Sequence, residues 1–149
     1  MGIDDGRYVS KNVHVLGGLH ASSVRWAWTT LSDGNWFPLT WLSLMADASL
    51  YGPYPGGFHL TNLVLHVLNV LLVFGLFVAM TGNPLRSALV AALFAVHPLH
   101  VESVAFISER KDVLSIFFGL LALLAYVRFA RGGSLVWWAE SFCLFLCSL

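Results

Sequence analysis

The sequence predicts an all-α polytopic membrane protein with about three or four transmembrane helices and one interfacial amphipathic helix. Of its 149 residues, 58% are hydrophobic and 11% are charged, whereas a soluble domain is about 45–50% apolar and about 25% charged. The mean hydropathy is +0.76, and the apolar residues after position 58 fall into runs separated by short breaks. The formal net charge is zero. We therefore expect a lipid bilayer around the chain and no nucleic acid as partner.

Residues 1–57 form the more polar part and are predicted to be an external loop that carries an acidic pair, Asp4 and Asp5. The loop is rich in tryptophan and tyrosine, which concentrate where membrane meets water. Within it, the segment 38–50 has apolar residues at positions 39, 42, 45, 46 and 50. This is a helical period, so we expect a helix that lies on the interface or dips into it.

Residues 58–149 are predicted to form the transmembrane region, with spans at about 60–80, 87–107, 113–130 and 135–149. The first span has about the twenty apolar residues that a bilayer requires and contains no Asp, Glu, Lys or Arg. The second should kink or stop at His97-Pro98, because proline removes a backbone donor and disfavours helical geometry before it. The last is too short to span, so the chain is interpreted as a fragment of a longer protein.

A polar stripe crosses the start of the first span. His59, Asn62, His66 and Asn69 are spaced by three, four and three residues, which places them on one helix face. They could form interhelical hydrogen bonds, each worth roughly 0.6–2 kcal/mol. Alternatively they could line a polar cavity of the kind found in proton relays. The sequence leaves both interpretations open.

Alternation of the spans predicts the membrane side of each charged segment. With residues 1–57 outside, Arg86, Arg128 and Arg131 fall inside, as the positive-inside rule prefers. The stretch 97–112 then falls outside, on the same face as the acidic pair. Its arginine and lysine therefore do not act as a topology signal, and another purpose is expected.

The stretch 97–112, HPLHVESVAFISERKD, combines cations and carboxylates in a pattern that suits transfer from a lipid-linked phosphate. A carboxylate can act as general base on an acceptor hydroxyl, and cations can bind the phosphate and stabilise it as it leaves. Arg110 and Lys111 are the candidates for donor-phosphate binding.

Five neighbouring residues are predicted to support this site: His97, His100, Glu102, Glu109 and Asp112. The acidic residues could instead form salt bridges at helix ends, and Asp112 could cap the third span. The two histidines beside Glu102 could in principle hold a metal. A hydrogen-bonded histidine at a proline kink is more common, so no metal is predicted.

Several motifs, in this order, carry a resemblance to a known family. They are Asp4-Asp5 followed by Tyr8 and Asn12, NWFPLTW at 35–41, HLTN at 59–62 with His66 and Asn69, HPLHVESVA at 97–105 and ERKDVLS at 109–115. From Asp4 to about Tyr126, the chain strongly resembles the membrane part of the transmembrane-and-TPR-containing O-mannosyltransferases and their bacterial relatives.

The resemblance implies a GT-C type glycosyltransferase with a polyprenyl-phosphate sugar as donor, a protein hydroxyl as acceptor and no certain cofactor. It implies that Asp4 and Asp5 are catalytic, with Asp4 the better candidate for the base. The location would be the bacterial inner membrane, or the endoplasmic reticulum in a eukaryote, with a periplasmic or luminal active face. The function would be that of the parent enzyme.

Two other classes remain as alternatives. A transporter or channel fragment would use the polar stripe, and should show broken helices paired across an internal repeat. No repeat relates residues 60–80 to 87–127. A non-catalytic membrane scaffold for a repeat domain would tolerate the loss of both charged clusters.

Overall fold

The computed structural model describes residues 9, 11–31 and 35–149, and within these ranges the regular structure is helical. The helices are α1 (Val13–Leu16), α2 (Ala21–Thr29), α3 (Pro38–Tyr51), α4 (Pro55–Thr81), α5 (Pro84–Ala95), α6 (Leu99–Ala105), α7 (Arg110–Gly132) and α8 (Leu135–Ser148), with a 3-10 helix at Ile107–Glu109. The described residues form no β-strand. The predicted all-α fold class is confirmed.

Local sequence explains where several helices begin and end. Pro38 and Pro84 occupy the first position of α3 and α5, where the missing N–H of proline is no loss. Asn83 caps α5, its side-chain oxygen accepting from the Arg86 N–H at 3.1 Å. Gly82 and Gly133 follow α4 and α7 with φ of 68° and 64°, a left-handed conformation that glycine adopts without steric cost.

Two helical stretches are long and apolar enough to cross a membrane: Pro55–Thr81 and Ile107–Gly132. The pair α5 and α6 passes the same test together but is bent by 62°, at the His97-Pro98 break that the sequence predicts. α8 has 14 residues, fewer than the roughly 20 of a full span. The described residues therefore hold two candidate spans, or three if the bent pair is one, as in an integral membrane protein.

The chain divides into two compact units, and the first contains Met1–Leu63 and Glu102–Lys111. Its core packs side chains of α3 against those of neighbouring segments: Val9, Val15, Ala27, Trp41, Leu44, Met45, Ala48, Phe58 and Ile107. This core supports the buried charged residues of the unit, which are described below.

The buried side of α3 differs from the apolar stripe expected from the sequence. Of the five stripe positions only Met45 is buried, and Leu50 is 74% exposed. Thr40 and Asp47, on the polar side, are buried instead. The buried side is the one that packs in the core of this unit, and on it Asp47 pairs with a cation described below. It also carries three further apolar core residues: Trp41, Leu44 and Ala48.

The second unit contains Val64–Val101 and Asp112–Leu149. Within it, the Asn69 amide donates to the Val113 carbonyl at 2.9 Å, and His66 Nε2 lies 3.2 Å from the Ala95 carbonyl. These contacts favour the interpretation of the polar stripe as interhelical hydrogen bonding. Many large apolar side chains of this unit are exposed, as on a lipid-facing surface.

Candidate functional site

The centre of the first unit is a buried ion pair between Arg110 and Asp47. Arg110 is the first residue of α7, and its side chain is fully buried. Arg110 Nη2 lies 2.6 Å from Asp47 Oδ2, and the Asp47 side chain is 5% exposed. The same Nη2 donates to the backbone carbonyl of Phe58 at 2.8 Å. α3 and α7 are therefore joined by a charge-assisted bond shielded from solvent.

The amide of Asn62 is a second partner of the guanidinium. Arg110 Nε donates to Asn62 Oδ1, and Asn62 Nδ2 donates to the carbonyls of Phe106 at 3.0 Å and Val104 at 3.4 Å. Asn62 is itself fully buried. One side chain of α4 thus binds both Arg110 and the backbone of the segment that leads into α7.

Asp47 is satisfied on both carboxylate oxygens. Its Oδ1 accepts from the Thr61 hydroxyl at 2.8 Å, while its Oδ2 accepts from Arg110. On the other side of the guanidinium, Arg110 Nη1 lies 3.4 Å from the Ser43 hydroxyl. A buried carboxylate and a buried guanidinium are each costly alone, and this arrangement gives each one an opposite charge and further hydrogen bonds.

Lys111 has a different environment from its neighbour. Its side chain is 38% exposed, and Nζ lies 3.6 Å from Oε2 of Glu109, which is 26% exposed. Successive residues of a helix are about 100° apart around the axis, so the burial of Arg110 accompanies the exposure of Lys111. Of the two predicted phosphate ligands, Lys111 is the one that an external ligand can reach.

The supporting residues predicted around this site are distributed over both units. Glu102 and Asp112 are exposed and lie in the first turns of α6 and α7. The position of Asp112 suits the expected interaction of a carboxylate with a helix N-terminus.

In the second unit, His97 and His100 have ring centroids 5.9 Å apart. His97 Nδ1 lies 3.3 Å from the Leu99 N–H, which favours the hydrogen-bonded histidine at the proline break. The ring of His100 also lies beside His66, 5.7 Å between centroids. Over residues 9, 11–31 and 35–149, no group of three or more His, Cys, Asp or Glu side chains could hold a metal ion.

Asp4 and Asp5, the predicted catalytic pair, lie outside the described residues. Their catalytic role, and the role of Arg110 and Lys111 as phosphate ligands, stay predictions. Sequence reasoning placed Asn62 in the polar stripe but did not connect it with Arg110. It missed three further residues around Arg110 and Asp47 itself: Ser43, Asp47 and Thr61. A signal was present for one of them, because Asp47 is the single charged residue of α3, and an ionisable group in an apolar helix requires a partner.

This chain is similar to several known proteins that are named protein O-mannosyl-transferases. It is 34% identical to protein O-mannosyl-transferase Tmtc2 of Drosophila melanogaster over 147 residues, which is 93% of this chain and 15% of that protein. It is 44% identical to Tmtc1 of the same species over 99 residues, 65% of the chain and 11% of that protein. Human TMTC4 is 35% identical over 114 residues, with shares of 67% and 15%. No protein-family model and no solved structure matches the chain.

The chain thus spans about 11–15% of the length of these relatives. These relatives come from animals as different as a fly and a human, and all are named protein O-mannosyl-transferase. The resemblance found in the motifs and the relatives found by comparison point to the same proteins. This chain belongs to the TMTC family of protein O-mannosyl-transferases.

Proposed function

We propose that this chain is part of a membrane glycosyltransferase of the GT-C type that moves mannose from a polyprenyl-phosphate donor to a hydroxyl group of a protein. The observation that carries the proposal is the similarity over 93% of the chain to a relative named a protein O-mannosyl-transferase. Because the chain spans 15% of that relative, the activity proposed is that of the whole protein.

The proposed reaction is an inverting displacement. A carboxylate of Asp4 or Asp5 takes the proton of the acceptor hydroxyl, whose oxygen attacks the anomeric carbon of mannose. The bond between that carbon and the phosphate oxygen breaks, and the polyprenyl phosphate leaves with the bonding electrons. A cation near the leaving phosphate stabilises the charge that develops on it.

Lys111 is proposed as the cation that binds the donor phosphate. Its side chain is 38% exposed, and its contact with Glu109 is long, at 3.6 Å. An exposed pair of this kind is worth little, typically about 0.2–1 kcal/mol, so a phosphate with greater charge can displace the carboxylate. Arg110 was expected to share this role, but its guanidinium is fully buried against Asp47.

The proposed active face is luminal in the endoplasmic reticulum, or periplasmic in a bacterium. This follows from the alternation of spans and from the use of a lipid-linked donor, which reaches the site from the bilayer. The transporter alternative loses its motivation, since Asn62, His66 and Asn69 each contact a backbone carbonyl. Their presence in an apolar helix is explained by helix packing.

The test is a transfer assay with the full-length protein, labelled polyprenyl-phosphate mannose and an acceptor protein. We expect Asp4→Asn or Asp5→Asn to lower kcat by roughly 100- to 10,000-fold, the usual contribution of a general base. Lys111→Gln should raise the donor KM about tenfold or more, as the loss of a bond to a charged group predicts. Arg86→Gln and Glu140→Gln, both exposed, serve as controls. Full activity of all three site variants would overturn the proposal.

A further inference from the structure

We propose that Asp47 and Arg110 form a positioning pair that sets the direction of Lys111, and that Arg110 is not itself a ligand of the donor phosphate. The catalytic consequence rests on the proposed function. The pair itself rests on contacts within the first unit alone, and so can be tested without any assay of transfer.

Arg110 already uses its hydrogen-bond donors on partners within the protein. Nη2 donates to Asp47 Oδ2 and to the Phe58 carbonyl, at 2.6 and 2.8 Å, and Nε donates to Asn62. The side chain has no exposed surface. The remaining nitrogen, Nη1, lies 3.4 Å from the Ser43 hydroxyl. A phosphate could therefore reach this guanidinium only after the buried surroundings had opened, and moving Arg110 away from Asp47 would leave a buried carboxylate unpaired.

Several segments of the first unit meet at the pair. Asp47 belongs to α3, and its other oxygen accepts from Thr61 of α4. Asn62, the next residue of α4, binds Arg110 and the carbonyls of Val104 and Phe106. The network therefore holds both the first residue of α7 and the backbone that enters it.

The geometry of the first turn of α7 links the direction of Arg110 to that of Lys111. With Arg110 fixed inward, the next residue is rotated by about 100° around the helix axis. That rotation gives Lys111 its 38% exposure and its contact with Glu109. A change in the direction of Arg110 would turn Lys111 with it, since both belong to one helical turn.

The two possible roles of Arg110 predict opposite effects of neutralising Asp47. If Arg110 is a positioning residue, Asp47→Asn leaves it with a buried and uncompensated charge, and the first turn of α7 must shift. If Arg110 is a phosphate ligand, the same change frees its guanidinium, and donor binding is kept or improved. The double variant Asp47→Asn/Arg110→Gln removes both charges and keeps polar groups that can hydrogen-bond.

The first experiment measures donor KM and kcat of the full-length protein carrying Asp47→Asn, Arg110→Gln or both, with Glu140→Gln as an exposed acidic control. We expect Asp47→Asn to raise donor KM about tenfold or more with a smaller effect on kcat. We expect the double variant to recover at least part of that loss. An unchanged or lower donor KM in Asp47→Asn would overturn the proposal, and so would a double variant that binds donor no better than Arg110→Gln alone.

The second experiment needs no catalytic activity. Lys111→Cys is introduced into a full-length background whose native cysteines, including Cys143 and Cys147, are replaced by serine, and its labelling rate by a water-soluble maleimide is measured. We expect Asp47→Asn to change this rate severalfold, while Glu140→Gln, at an exposed position of α8, does not change it. An unaltered rate in folded Asp47→Asn protein would overturn the proposal. If wild-type protein transfers no mannose, the proposed function fails while this arm still decides the positioning role.

A milder variant covers the case in which Asp47→Asn does not fold. Thr61→Val removes one hydrogen bond from Asp47 Oδ1 and leaves the ion pair in place. It should move the labelling rate at position 111 and the donor KM in the same direction as Asp47→Asn, by a smaller factor. Wild-type values of both quantities in Thr61→Val would contradict the proposed link between Asp47 and Lys111.

Discussion

Asp47 and Arg110 are 63 positions apart in the chain, yet Arg110 Nη2 lies 2.6 Å from Asp47 Oδ2, and the two side chains are 5% and 0% exposed. The pair joins α3, the helix predicted to lie at the interface, to the first residue of α7. Breaking this pair should lower the free energy of unfolding more than neutralising the exposed charged residues around it.

Asp47→Asn should destabilise the protein substantially. Breaking one partner of a buried ion pair typically costs about 3–5 kcal/mol, because the remaining charge stays buried without compensation. The measurement is thermal unfolding of the purified protein in detergent. Asp112→Asn, which changes an exposed carboxylate, should unfold within a few degrees of the wild type. Equal unfolding temperatures for the two variants would contradict the energetic role of the pair.

Lys111→Gln should leave stability almost unchanged. Its contact with Glu109 is 3.6 Å long, and both side chains are partly exposed, so the pair is worth about 0.2–1 kcal/mol at most. Thermal unfolding at low and high salt measures this contribution directly. A loss as large as that of Asp47→Asn would show that Lys111 is structural and would weaken its assignment to the donor phosphate.

Asn62→Leu should cost more stability than Asn69→Leu, although both replace a buried asparagine of α4. Asn62 binds Arg110 and two carbonyls, whereas Asn69 donates to the Val113 carbonyl. The side-chain oxygen of Asn69, Oδ1, is buried and has no hydrogen-bond partner among the described residues. Leucine at position 69 therefore removes an unpaired buried acceptor, which is favourable, together with one hydrogen bond, which is not.

We expect a loss of roughly 0.6–2 kcal/mol or less for Asn69→Leu and a larger loss for Asn62→Leu. Side-by-side unfolding of the two variants in the same detergent tests the order. A greater loss at position 69 would contradict the central place of Asn62 in the network.

The sequence predicts α3 and the apolar helices after it from local features, whereas α1 and α2 were not predicted. α4 follows from a long apolar run, and the 62° bend between α5 and α6 follows from Pro98. The buried side of α3 could not be predicted in this way. An apolar stripe in a membrane protein is ambiguous, since lipid and protein are both apolar surroundings. The burial of Asp47 on the other side of α3 depends on its pairing with Arg110.

The candidate site was predicted in part. The stretch 97–112 was recognised from its density of charge. The sequence could not show which of Arg110 and Lys111 is buried and which is exposed, because that depends on where the helix begins. The partner of Arg110 was out of reach as well, since ion pairing between residues 63 positions apart depends on tertiary packing. The catalytic role of Asp4 and Asp5 stays a prediction.

The most direct test of the account is the rate of mannose transfer by the full-length protein when both members of the acidic pair are changed. We predict that the double variant Asp4→Asn/Asp5→Asn still binds polyprenyl-phosphate mannose but transfers it at least about 100-fold more slowly than the wild type. The control Glu140→Gln should transfer at the wild-type rate. Wild-type transfer by the double variant would contradict the assignment of the catalytic base, and with it the proposed reaction.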